Sequence, residues 1–73
     1  MIDLRGIETC YWVATLGGFR AAAEKLHASQ PAISQRISQL EDQLGTRLFE
    51  RDKRSVRLTV RGQALLTQAE RML

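Results

Sequence analysis

The sequence predicts a mainly α-helical fold with one small β-hairpin, and three observations support this prediction. Apolar residues recur every three or four positions over residues 30–44, which is the spacing of a helix with one buried face. Glycines stand where such patterns break, at Gly17, Gly18 and Gly45. Within residues 48–58, two short alternating segments flank a charged tripeptide, which is typical of a hairpin. The predicted order is helix, helix, turn, helix, two strands, helix.

Length and composition restrict the class of protein. Seventy-three residues make one small domain, near the lower size limit of a self-supporting core. A hydrophobic content of 44% and a charged content of 26% indicate a globular chain rather than a disordered one. No apolar run is long enough to span a membrane, and early charged residues argue against a signal peptide. One cysteine forms no disulfide framework or metal quartet, so we expect a cytoplasmic protein without cofactor or metal.

Two helices are predicted before residue 27. The first is expected from about Leu4 to Leu16, where apolar residues at helical spacing precede the glycine pair. The second is rich in alanine and runs from Phe19 to Leu26, so a neighbouring helix can approach it closely. Residues 27–29 are predicted to form a short turn. His27 is the single histidine of the chain and is interpreted as a turn residue rather than a metal ligand or catalytic residue.

The third helix is predicted over about residues 30–44 and has two contrasting faces. Ser29 is a candidate N-cap, Pro31 falls in the first turn, and Gly45 ends the helix. The buried stripe is expected to comprise Ile33, Ile37, Leu40 and Leu44. The other side carries small, uncharged, mostly hydrogen-bonding residues, here called the polar ridge: Gln30, Pro31, Ser34, Gln35 and Ser38.

The polar ridge suits contact with DNA bases better than it suits a core or a catalytic site. Base edges in the major groove offer hydrogen-bond donors, acceptors and thymine methyl groups. Gln30 and Gln35 can each pair with adenine through two hydrogen bonds, and Pro31 can contact a thymine methyl. Glu41 and Asp42 would repel phosphates, so only the N-terminal half of the helix should face DNA. The alternative is an ordinary solvated polar face.

A hairpin and a last helix are predicted after Gly45. The strands are expected over residues 48–51 and 55–58, with a charged tip at 52–55. Thr59 is a candidate N-cap for the last helix, which carries a row of apolar residues. That row extends further than the rest of the domain that it could pack against, so we expect it to pair two subunits or to continue into a longer protein. The residues assigned to dimerisation are Leu66, Ala69, Met72 and Leu73.

Positive charge is concentrated in one segment. Residues 1–45 have a balance of −1, whereas residues 46–61 have a balance of +4, which favours contact with a polyanion. A solvated basic loop is the alternative. Lys53 and Arg54 at the hairpin tip are expected to enter the minor groove. The residues expected to contact the DNA backbone are Arg20, Ser29, Arg36 and Arg51.

The spacing of these residues resembles the N-terminal DNA-binding domain of LysR-type transcriptional regulators. The resemblance depends on the pattern AAxxLHxSQPAISxxIxxLExxLGxxLFER from Ala22 to Arg51, followed by RxVxLTxxGxxLL from Arg54 to Leu66. It implies a winged helix-turn-helix over residues 1–58 and the start of a linker helix over 59–73. It also implies a bacterial homodimer, possibly a higher oligomer in the full-length protein, on an interrupted dyad operator in double-stranded DNA.

The resemblance implies individual roles as well. Gln30, Pro31, Ser34 and Gln35 match the positions that face bases, and Arg54 matches the wing arginine of such regulators. A small-molecule effector would bind only in a ligand-sensing domain C-terminal to this sequence. Three departures stand out: Gln35-Arg36 where many relatives have Arg then Gln, Gly18 in place of a Ser or Thr cap, and Cys10 where phenylalanine is common.

Sequence-specific binding of double-stranded DNA for transcriptional regulation is therefore the leading prediction. The alternative is a winged-helix module that binds an acidic protein through the same hairpin and polar helix. An enzyme is not predicted, because the sequence contains no nucleophile–base pair, metal cluster or glycine-rich phosphate loop.

Overall fold

A computed structural model describes residues 4–51 and 56–72, with the side chains of Arg51 and Met72 excepted. The predicted order of elements is confirmed. The elements are α1 (Leu4–Leu16), α2 (Phe19–Leu26), α3 (Gln30–Leu44), β1 (Phe49–Arg51), β2 (Val56–Leu58) and α4 (Val60–Met72).

The core forms where the first three helices meet. Ile33, Ile37 and Leu40 of α3 are at most 1% exposed, which confirms most of the predicted stripe, while Leu44 is half-buried. Cys10 and Val13 contribute from α1. The buried residues of α2 are the alanines at positions 22 and 23, whose small side chains allow the other helices to approach closely.

The turn between α2 and α3 is short and its ends are hydrogen-bonded. His27 adopts the left-handed conformation with φ of 54°, and the following amide, that of Ala28, donates to the carbonyl of Ala23 at 2.9 Å. Ser29 then caps α3, because its Oγ accepts a hydrogen bond from the amide of Ala32 at 3.2 Å. The predicted roles of His27 as a turn residue and Ser29 as an N-cap are confirmed.

The hairpin is antiparallel and is attached to the helical body by Phe49. Phe49 pairs with Leu58, and Arg51 pairs with Val56. Phe49 is 1% exposed and meets the ring of Phe19 edge-to-face, with 6.3 Å between centroids. Strand β1 begins at Phe49, one residue later than predicted, and the described part of the second strand is Val56 to Leu58; the tip at 52–55 lies outside the described residues.

Helix α4 begins after Thr59, as predicted, and packs on the rest of the chain. The Oγ1 of Thr59 accepts a hydrogen bond from the amide of Gly62 at 3.0 Å. Helix α4 contacts α1 and β2, and it contributes Ala69 and the half-buried Leu65 to the core. The dimerisation role assigned to Ala69 is corrected, because Ala69 is 1% exposed and packs in this core. Leu66 is half-buried, and Leu73 and the side chain of Met72 lie outside the described structure.

Across residues 4–51 and 56–72, no helix combines the length and hydropathy needed to cross a bilayer. The same residues contain no group of three histidine, cysteine or acidic side chains placed to hold a metal ion.

Candidate nucleic-acid interface

The polar ridge lies on the solvent side of α3, opposite the buried stripe. Gln30, Pro31, Gln35 and Ser38 are exposed, and Ser34 is half-buried at the edge of the ridge. Because the stripe of α3 is held in the core, the helix cannot rotate about its axis to hide these side chains. The outward placement expected from periodicity is therefore found, while base contact by each residue stays a prediction.

The two ends of α3 differ in charge. Its first turn contains no acidic residue, and the positive end of the helix dipole lies there. Glu41 and Asp42 lie near the other end, where a shallow depression is lined by Ser38, Gly45, Thr46 and Arg47 as well. A polyanion is thus accommodated at the N-terminal half of the helix and opposed at the C-terminal half.

Three residues assigned to the DNA backbone have described side chains. Arg20 is in the first turn of α2 and forms an exposed ion pair with Glu24 at 3.7 Å, which a phosphate can displace at little cost. Ser29 uses its oxygen as an acceptor in the cap, which leaves its hydroxyl hydrogen available as a donor. Arg36 is half-buried on α3.

Arg5 is a basic residue of this surface that the sequence analysis did not single out. It comes from α1 and lines the same depression as Gln35 and Arg36. The packing of α1 against α3 brings the two arginines to one side of the ridge. Neither periodicity nor local charge predicts this, because the residues are 31 positions apart in the sequence.

The base of the hairpin is held by side chains from α3 and from the start of α4. We call residues 47–49 the wing base. Glu41 Oε2 accepts hydrogen bonds from the amides of Leu48 at 2.8 Å and Phe49 at 3.3 Å. Thr59 Oγ1 donates to the carbonyl of Arg47 at 2.7 Å. The sequence indicated Glu41 only as a charge that repels phosphates, because the amides it binds lie seven and eight residues away, beyond the end of the helix.

The remaining candidates of the hairpin are Arg51, Lys53 and Arg54. The backbone of Arg51 ends β1, and its side chain lies outside the described atoms. Lys53 and Arg54 also lie outside the described residues, so their assignment to the minor groove stays a prediction. Arg57 in β2 and Arg47 in the wing base are described and exposed, and they carry positive charge on this part of the surface.

Cys10, Tyr11 and Trp12 belong to α1, a different helix from the one that carries the polar ridge. Cys10 is 1% exposed, and burial, followed by the nearby Glu41 carboxylate, raises its pKa to about 11. Trp12 packs edge-to-face on Tyr11, with 5.0 Å between centroids, and Lys25 Nζ lies 4.7 Å from its ring centroid. Both aromatic rings are thus engaged in packing contacts within the domain.

Comparison with known proteins identifies relatives over nearly the whole chain. The model of the bacterial regulatory helix-turn-helix proteins of the lysR family matches residues 4–63. An HTH-type transcriptional regulator of Azotobacter vinelandii is 50% identical over 72 residues, which cover 99% of this chain and 50% of that protein. The chain thus spans about half the length of this relative, and it spans 18% of a probable RuBisCO transcriptional regulator of Emiliania huxleyi.

Solved structures with the same fold include complexes with DNA. The DNA-binding domain of CbnR bound to DNA superposes with a TM-score of 0.91 and 40% identity, covering 96% of this chain and 80% of that one. The BenM DNA-binding domain in complex with catB site 1 DNA gives a TM-score of 0.92 and 34% identity, with 96% of this chain and 78% of that one covered. The winged helix-turn-helix fold expected from the sequence is confirmed.

Proposed function

The chain belongs to the lysR family of bacterial regulatory helix-turn-helix proteins, and we propose that it binds double-stranded DNA sequence-specifically to regulate transcription. In this proposal α3 enters the major groove and presents the polar ridge to base edges. The hairpin lies over the adjacent minor groove, where Lys53 and Arg54 make the contacts that the sequence predicts.

The single observation that carries this proposal is the exposure of the polar ridge on a helix whose opposite face is buried. Gln30 and Gln35 present amide groups to solvent, while Ile33 and Ile37 are completely buried. The backbone of the ridge is therefore held by the core, and only its side chains have to order on binding. Groups that are already placed lose less conformational entropy when they contact a base.

We propose that the whole regulator acts as a homodimer on an interrupted dyad operator. Leu66 is half-buried on α4 and, with Met72 and Leu73, is assigned to the contact between subunits. A two-fold operator requires two ridges held at a defined separation, which a paired linker helix supplies. A small-molecule effector would act through a separate domain. Sedimentation equilibrium of the full-length protein tests the dimer, and a strictly monomeric protein contradicts it.

Two other proposals follow from family membership. The domain acts by binding, without an enzymatic activity, because the relatives are transcriptional regulators. It acts in the cytoplasm, where bacterial DNA is found. The alternative of a protein-binding module is not favoured, since the solved structures with this fold include complexes with DNA.

The experiment that tests sequence-specific binding begins with selection of bound duplexes from a random pool. The affinity for the selected duplex and for a scrambled duplex is then measured over a range of salt concentrations. We expect affinity for the selected duplex to fall steeply with salt and to exceed that of the scrambled duplex at every concentration. Equal affinity for both duplexes would contradict the proposal.

Gln35→Ala tests the role of the polar ridge. We expect the variant to lose discrimination of about 1–3 kcal/mol at one or two base pairs, with little change in salt dependence. The matched control is Gln43→Ala, which removes the same exposed amide from the acidic half of α3. If Gln43→Ala relaxes base preference as much as Gln35→Ala does, the ridge has been placed on the wrong half of the helix.

A further inference from the structure

The strongest unassigned feature of the structure is the contact between Glu41 and the wing base. Glu41 is in the last turn of α3, the helix that carries the polar ridge, and it is half-buried. One of its oxygens, Oε2, lies 2.8 Å from the amide nitrogen of Leu48 and 3.3 Å from that of Phe49. Two consecutive amides of the segment entering β1 are therefore directed at a single carboxylate oxygen of α3.

These two hydrogen bonds are partly shielded from water, and a shielded amide that loses its acceptor retains the free-energy cost of its own desolvation. Leu48 and Phe49 are each 1% exposed, so few water molecules can replace the acceptor. In an extended chain, the amides of adjacent residues point to opposite sides. Two adjacent amides that share one acceptor oxygen therefore require a specific backbone conformation at Leu48 and Phe49. The direction in which the chain enters β1 is thus tied to α3.

The wing base is also held from its other side. The amide of Thr59 donates to the carbonyl of Leu48 at 3.0 Å, and its hydroxyl donates to the carbonyl of Arg47 at 2.7 Å. Thr59 follows β2 directly and caps α4. The start of β1 and the end of β2 are therefore both anchored by hydrogen bonds, and Glu41 supplies the link from the wing base to the helix of the polar ridge.

The position of the hairpin relative to α3 matters because exposed arginines lie at its base and on β2. Arg47 in the wing base and Arg57 in β2 are exposed. The interaction of an arginine with a phosphate weakens steeply with distance and depends on direction. A hairpin that pivots at its base would move these side chains relative to a duplex held by the polar ridge.

We propose that Glu41 is a positioning residue for DNA binding, whose carboxylate oxygen fixes the hairpin relative to α3. The ridge and the hairpin then engage a duplex as one rigid unit. This inference rests on the proposed function and deepens it: Glu41 is assigned no base or phosphate contact and affects DNA binding through the wing base. The hydrogen-bond acceptor is the essential property, and the negative charge is not.

Three substitutions of Glu41 separate the acceptor from the charge and from the length of the side chain. Glu41→Gln keeps an oxygen at the same reach and removes the charge. Glu41→Asp keeps the charge and shortens the side chain, so the oxygen no longer reaches both amides. Glu41→Met keeps the length and removes acceptor and charge. Asp42→Asn is the control, because it removes the adjacent exposed charge.

The first measurement is amide hydrogen exchange of the full chain without DNA. We expect exchange at Leu48 and Phe49 to accelerate about tenfold or more in Glu41→Met and Glu41→Asp. Glu41→Gln and Asp42→Asn should keep the wild-type rates at these amides, and the amides of Ile37 and Leu40 should be unaffected in all four variants. Unchanged rates at Leu48 and Phe49 in both Glu41→Met and Glu41→Asp would overturn the proposal.

The second measurement is binding to the selected duplex by the same variants, with hydroxyl-radical footprinting of the flanks. We expect Glu41→Met and Glu41→Asp to bind about tenfold more weakly and to lose protection at the flanks, with a shallower salt dependence. Base preference at the position assigned to Gln35 should be unchanged. Glu41→Gln should bind at least as tightly as the wild type, because it keeps the acceptor and removes a negative charge.

Each other outcome gives a definite answer. If Glu41→Gln is as impaired as Glu41→Met, the charge rather than the acceptor matters, and the proposal is wrong. It is also wrong if exchange accelerates but flank protection and affinity stay unchanged. If Glu41→Met does not fold, the other two variants test the proposal: Glu41→Asp should be impaired and Glu41→Gln should not. A wild-type chain that prefers no duplex would refute the proposed function, while the exchange rates would still test the contact.

Discussion

The contrast between Glu41 and Asp42 shows how strongly position on a helix determines the role of a side chain. These neighbours carry the same charge, but they are separated by about 100° around the axis of α3. That rotation directs Glu41 to the amides of Leu48 and Phe49, while Asp42 remains exposed. One carboxylate organises the hairpin, and the other contributes to the acidic surface at the end of the helix.

Cys10 is expected to couple stability to pH at the alkaline end. Burial, followed by the Glu41 carboxylate, raises its pKa from 9.0 to about 11, so the folded state disfavours the thiolate. The resulting stabilisation is complete below pH 9.0 and is lost as pH rises towards 11. Urea unfolding from pH 7 to 11 should therefore show a steeper alkaline loss for the wild type than for Cys10→Ala.

A thiol reagent provides an independent check of the Cys10 prediction. At pH 8, native protein should react slowly, and addition of denaturant should accelerate labelling, because reaction requires an exposed thiolate. Labelling of the native protein at the rate of the unfolded chain would show that Cys10 is accessible and that the predicted pH dependence has no basis.

At the level of the elements, the ends of the helices are defined by specific local contacts. Ser29 caps α3 at one end, and Gly45 ends it in the left-handed conformation with φ of 67°. Thr59 caps α4. By contrast, Gly18 precedes α2 without a side-chain cap, as expected from the absence of a serine or threonine there. Three of these four ends agree with strong sequence signals, which is why the helix bounds were predictable.

Gly62 is expected to be essential for the packing of α4 on the wing base. A Cβ atom at this position would collide with the carbonyl oxygen of Leu48 and would lie 2.8 Å from Leu58 Cδ2. The carbonyl of Leu48 cannot easily move, since it accepts a hydrogen bond from Thr59. We expect Gly62→Ala to lower the free energy of unfolding by about 2–3 kcal/mol, measured by chemical denaturation.

Gly6 is the matched control for this prediction, because it is also a buried glycine within a helix. A Cβ atom there would meet Leu40 at 3.5 Å, which is ordinary van der Waals contact. Gly6→Ala should therefore be neutral or should stabilise by up to about 1 kcal/mol through helix propensity. A loss of stability in Gly6→Ala equal to that in Gly62→Ala would mean that steric contact at the wing base is not the cause.

At the level of the whole molecule, a single core joins the ridge helix, the hairpin and α4. Phe49 from β1 and Ala69 from α4 belong to the same cluster as Ile33 and Ile37 from α3. A small domain of this kind is expected to unfold cooperatively, without a separately stable hairpin. The rigid relation between ridge and hairpin that DNA binding needs is thus a property of the complete fold.

Phe49→Ala tests this cooperativity. Removal of the 1% exposed ring should cost about 3–5 kcal/mol, which is a large fraction of the stability of a small domain. We expect the helical circular dichroism and the Trp12 fluorescence to report the same lowered transition. Val60→Ala, at an 88% exposed position, should change stability by less than about 0.5 kcal/mol. A hairpin lost while the helices keep wild-type stability would contradict a single core.

Much of the candidate site was predictable because its signals are local. The polar ridge and the buried stripe occupy opposite faces of one helix, so a 3.6-residue period separates them without knowledge of other elements. The roles of Ser29, Thr59 and Gly45 follow from capping chemistry, which involves residues three or four positions apart. Family resemblance added the winged helix-turn-helix and the assignment of roles to individual ridge residues.

The remaining features depend on residues that are distant in the chain and meet only after packing. Arg5 joins Gln35 and Arg36 through the contact of α1 with α3, and Ala69 enters the core because α4 packs on α1. The bond from Glu41 to the wing base likewise requires a tertiary placement. Periodicity and capping act over one or two helical turns, so they specify which elements form and which faces are apolar. Contacts between elements are selected by the free energy of the whole packed core, and these contacts set the geometry with which the domain would meet DNA.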